Sequence, residues 1–175
     1  MTTTPPPAAA AFALSARTLC GALMGALVLI GVAMSFVLGT DSAPPTWVLL
    51  VQVGAGIAIH LLVETLGYRL PPLDPSLGDD EAANAGRLRW QSSMMLRFAL
   101  TEALAIGSLV AAFVFDGGVW TYVGGALVSL ALMAVHVWPG ERSVTRTAEA
   151  LEAGGQSSHL RETFGLPAAG PIQQR

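Results

Sequence analysis

TLCGALMGALVLIGVAMSFVLG (Thr18–Gly39) is an unbroken uncharged run. It has about the ~20 residues that a helix needs to cross ~30 Å of hydrocarbon. It is too long for the ~7–15-residue apolar core of a signal peptide, and Pro44-Pro45 would be a poor start for a mature chain after cleavage. Thr18–Gly39 is therefore expected to stay in place as a membrane span. Outward from it the same pattern recurs three times, with spans expected at about 46–68, 93–115 and 119–138.

Composition agrees. Hydrophobic residues make up 53% of the 175, charged residues 12%, and the mean hydropathy is +0.57. A soluble domain scatters its apolar residues at period 3.6 or 2, whereas here they come in blocks. All eleven prolines fall outside the four segments, as unbroken helices with internally satisfied backbones require. The expected fold class is all-α, an integral membrane four-helix bundle running up-down-up-down.

Arginine sets the orientation, because loops on the cytoplasmic side carry the basic excess. Arg17 precedes the first span, Arg69, Arg87, Arg89 and Arg97 lie between or just inside the second and third, and Arg142, Arg146, Arg161 and Arg175 follow the fourth. The connections around Asp41 and Asp116 have none. Both termini are expected in the cytoplasm, with the chain in a bacterial inner membrane. Trp47, Trp120 and Tyr122 mark one interface, and Tyr68, Trp90 and Trp138 the other.

The domain organisation that follows has three parts: a disordered Thr/Pro/Ala-rich tail at 1–17, the transmembrane domain at 18–138, and a cytoplasmic tail at 139–175. A polar loop of about twenty residues separates spans two and three, and Asp116-Gly117-Gly118 turns span three into span four. In the last part Val144, Ala148 and Leu151 recur at helical spacing until Gly154-Gly155, which predicts a short amphipathic surface helix that packs weakly or docks a partner.

Small residues let membrane helices approach closely. Gly21 and Gly25 are spaced for this on span one. Ala99, Ala103, Gly107 and Ala111 form a four-member stripe on span three. They are expected to pack helices within the chain or to form an interface with another membrane protein or a second copy.

Ionisable residues at membrane depth cost roughly 2.5–3.5 kcal/mol each unless paired or hydrated. At 1.5 Å per residue, Glu64 and Arg97 come out at similar shallow depths, His60 comes out near Glu102, and His136 can join the shallower pair. The expected pairs are Glu64 with Arg97 and Glu102 with His60. These four residues are the candidate proton or ion site, with His60 and Glu102 able to take up and release a proton. By the same depth count His60 and His136 lie roughly 9 Å apart, which argues against a bis-histidine haem.

The stretch Met95-Leu-Arg-Phe-Ala-Leu-Thr-Glu-Ala-Leu-Ala-Ile-Gly-Ser-Leu-Val-Ala-Ala-Phe113 resembles the ion-carrying helix of rotor c subunits of F-type and V-type ATP synthases. That resemblance implies proton binding at Glu102. Taken whole, the chain resembles small four-span bacterial membrane proteins of unknown function.

No H-E-x-x-H, Walker A or CxxC motif is present. The lone Cys20 cannot form an intrachain disulfide. The scattered arginines make no nucleic-acid patch, and no catalytic residue, metal or cofactor is expected. The reading is a non-enzymatic accessory or scaffold subunit of a larger membrane complex. The alternative is a proton-coupled or ion-conducting protein that uses Glu102.

Overall fold

The computed structural model describes residues 7–115 and 117–167. Every element among them is helical: α1 (Pro7–Leu38), α2 (Thr46–Leu62), α3 (Asp79–Val114), α4 (Gly118–His136), α5 (Glu141–Glu152) and the short α6 (Leu160–Thr163). A single π-helical turn, Val63–Gly67, extends α2. Four helices, counting α2 with its extension, are long and apolar enough to cross a membrane.

Helix α4 is the hub, packing on α1, α2 and α3. The contacts fix the relative directions. Cys20 donates to the Val137 carbonyl and the Tyr122 hydroxyl to that of Leu27, so α1 and α4 run antiparallel. Gln52 donates to the Thr121 carbonyl, and His60 meets His136 further along, so α2 and α4 run parallel. Ser129 donates to the Thr101 carbonyl, and Ser108 lies against Gly125, so α3 opposes α4.

Three features differ from the sequence expectation. The expected disordered tail at 1–17 is helical from Pro7, the first described residue, well before Thr18, and residues 1–6 of it lie outside the described residues. Proline is tolerated in a first helical turn, and the alanines that follow are the best helix formers. What holds the extension is Phe12, whose ring lies 6.0 Å from both Trp90 and Phe164. Helix α3 likewise begins at Asp79, so most of the expected polar loop is helical. Asp79, Asp80 and Glu81 occupy its first turn, where the helix dipole favours negative charge. Ala82, Gly86 and Trp90 then make a buried stripe one turn apart.

The third difference is the C-terminal segment, which packs tightly. Val144, Ala148 and Leu151 are fully buried at the spacing of one amphipathic face of α5, and Leu160 of α6 is fully buried as well. The Leu73 amide donates to the Leu151 carbonyl at 2.8 Å. Leu73, Trp90, Leu151, Leu160 and Phe164 thus carry the hydrophobic core of the apolar helices on past their ends.

Candidate functional site

The polar side chains of four helices converge where the apolar helices meet α5. His60 and Glu64 stand one turn apart at the end of α2, His136 is the last residue of α4, and Arg142 and Arg146 stand one turn apart on α5. Tyr68 follows the π turn. Arg97 enters from α3, past Gly67, where a Cβ would come within 2.7 Å of the Arg97 Cγ. Thr65 Oγ donates to the Leu61 and Leu62 carbonyls, both at 3.0 Å. It thereby serves acceptors whose backbone partners shift in a π turn, a feature frequent at functional sites.

His60 Nδ1 lies 2.9 Å from His136 Nε2. The other ring nitrogen of His136 is 3.2 Å from the Tyr68 hydroxyl and 3.7 Å from a Glu64 oxygen. Arg142 donates to Glu64 Oε1 at 2.8 Å, and Arg146 donates to Glu64 Oε2. His136 is fully buried, Tyr68 nearly so, and the Glu64 side chain is 20% exposed. Two guanidiniums face the Tyr68 ring, Arg97 at 4.5 Å and Arg146 at 5.0 Å from its centroid.

Both expected pairs are replaced. Glu64 is taken by the two arginines of α5 in place of Arg97, and His60 meets His136 in place of Glu102. The depth count treated the helix ends as level and ignored side-chain reach. The two imidazole centroids lie 5.0 Å apart, so the roughly 9 Å separation does not hold. It also passed over α5, which the sequence had placed on the surface.

Arg97 is fully buried. Its Nε donates to the Ser93 carbonyl at 3.3 Å, while both terminal nitrogens lack a hydrogen-bond partner. Glu102 is half-buried and makes no hydrogen bond or ion pair among the described residues. The cluster also holds what no motif signalled: one donor atom each from His60, Glu64 and His136 lie within 4.8 Å of one another. The readable traces were His60-x-x-x-Glu64 and Arg142-x-x-x-Arg146, two polar pairs at one-turn spacing.

Comparison with protein-family models, curated proteins and solved structures finds no match. The site therefore has to be read from its own chemistry.

The small-residue positions lie elsewhere. Nothing comes within 4 Å of a Cβ placed at Gly21, Gly25 or Gly107. Ala99 and Ala103 are exposed, and Ala111 is half-buried. Close packing inside the chain falls instead to Gly56 against Val128, Gly31 against Tyr122, and Gly125 against Ser108. Ala103, Gly107 and Ala111 of the stripe line one wall of an open apolar groove of about 330 Å³, with Trp47, Val51 and Ile59 of α2 opposite.

Proposed function

We propose that this chain is a multi-pass protein of a bacterial inner membrane, with both ends in the cytoplasm, acting as an accessory or scaffold subunit of a larger membrane complex. The observation that carries the reading is the outward face of α3. Its small-residue stripe is spaced for close helix packing, yet Gly107 faces open space and Ala99 and Ala103 are exposed. From Ala99 to Ala111 the stripe runs about 18 Å at 1.5 Å per residue, which is more than three helical turns. Small residues in lipid gain little by themselves, whereas a second helix can bring its backbone close to them and collect dispersion contacts. The occupant that fits is an apolar transmembrane helix of a partner protein.

Gentle detergent extraction followed by mass determination tests this. Wild type should emerge in stoichiometric complex with a second membrane protein, and Gly107→Leu, which fills the groove without touching the chain's own packing, should emerge alone. Recovery of wild type alone or only as a homo-oligomer overturns the accessory reading.

The half-buried, unpaired Glu102 favours a second reading, proton coupling or ion conduction through that carboxylate. There Glu102→Gln should abolish flux in proteoliposomes while the protein remains folded. The structure separates Glu102 from His60, so on this reading the carboxylate works without that imidazole.

A further inference from the structure

We infer that His60, Glu64 and His136 form a binding site for a divalent transition metal of the zinc class, at the junction of α2, α4 and α5. Two imidazoles and a carboxylate are a ligand set that zinc and its neighbours accept. His60 and Glu64 come from one helical turn and His136 from the end of α4, yet all three offer donors within 4.8 Å of one another. Ligands at about 2.0–2.2 Å around a tetrahedral ion stand roughly 3.3–3.5 Å apart. The 2.9 Å between His60 Nδ1 and His136 Nε2 lies just below that spacing and the 4.8 Å that bounds the whole set lies above it, so side-chain adjustments of about an ångström bring the three donors to one ion.

The surroundings supply what ligands need. With Nε2 of His136 on the metal, its Nδ1–H points to the Tyr68 hydroxyl at 3.2 Å, the outer partner that fixes the orientation of a metal-bound imidazole. His60 and Glu64 are half-buried rather than sealed, which leaves a way in and a fourth position for water.

The opposing term is charge. Arg142 and Arg146 hold both oxygens of Glu64, and Arg97 faces Tyr68 from α3. The two α5 side chains are 53% and 40% exposed, so they can turn into water at the small cost of surface ion pairs. Metal and guanidiniums therefore compete for one carboxylate. That competition gives the site a signature that ordinary surface histidines lack.

The test uses the full chain in detergent, carrying a histidine-free tag and titrated with Co²⁺, whose visible absorption reports tetrahedral nitrogen and oxygen ligands. One equivalent should bind and be displaced by Zn²⁺. His60→Gln and Glu64→Gln change half-buried positions and should each weaken binding by about 10-fold or more. Arg142→Gln combined with Arg146→Gln should tighten it several-fold, because the carboxylate is freed. Any of three results overturns the proposal: no saturable Co²⁺ binding by folded wild type, binding unchanged in both ligand variants, or weaker binding in the double-arginine variant. Elution volume and helical circular dichroism identify a variant that has merely unfolded, and the remaining variant and wild type still decide.

Discussion

Arg97 sits fully buried with two unpartnered nitrogens, while its sequence-level partner Glu64 serves Arg142 and Arg146. Tyr68 offers a ring face at 4.5 Å, and a desolvated cation–π contact of this kind contributes about 2 kcal/mol. Desolvating the guanidinium costs more than that. The two effects have opposite signs, and the desolvation wins because no carboxylate among the described residues pairs with this cation. Arg97→Met keeps the stem that passes Gly67 and removes the charge. It should leave the thermal midpoint unchanged or raise it, in line with the roughly 1–4 kcal/mol gained when buried ionic groups give way to apolar ones. A fall in the midpoint would mean that Arg97 has a stabilising partner in the membrane. Distance along the helices puts Glu64 and Arg97 near one level. Which cation reaches the carboxylate first depended on α5, which is remote in sequence.

At the scale of elements, the apolar helices were legible because twenty uncharged residues admit one solution in lipid. Their extensions were not. Pro7–Arg17 reads as low complexity and Asp79–Arg89 as a polar loop, and each becomes helix only because Phe12, Trp90 and Phe164 find one another. Such tertiary pairing leaves no periodic trace in a short segment. Gly86 shows how the pieces fit: a Cβ there would stand 2.7 Å from the Ser158 carbonyl and 3.3 Å from its Cβ. Replacing a helical glycine by alanine normally gains up to about 1 kcal/mol. Here backbone is in the way and cannot swing aside, so the clash prevails. Gly86→Ala should loosen the segment from Ser158 to Phe164 and speed its limited proteolysis, whereas Gly107→Ala, facing open space, should not. Equal proteolysis of the two variants would show that Gly86 is not the seat of that segment.

Across the whole molecule, helix direction and arginine placement carry the topology together. The contacts run α1 against α4, α2 along α4 and α3 against α4, so the Gly39–Pro45 connection and the α3–α4 turn lie at one end. Tyr68, Trp138 and the buried C-terminal core lie at the other. Eight of the nine arginines lie among the described residues, and all eight belong to that second end or to the segments that lead from it, the end that the proposed topology puts in the cytoplasm by the basic-excess rule. The lone cysteine makes this measurable, because Cys20 is fully buried and leaves a silent background for an impermeant thiol reagent. In intact cells with an opened outer layer, Ser42→Cys should label at once and Ser76→Cys only after the inner membrane is permeabilised. The reverse pattern would invert the chain. It would place the histidine and arginine cluster on the outer face, where a metal would have to arrive from outside the cell.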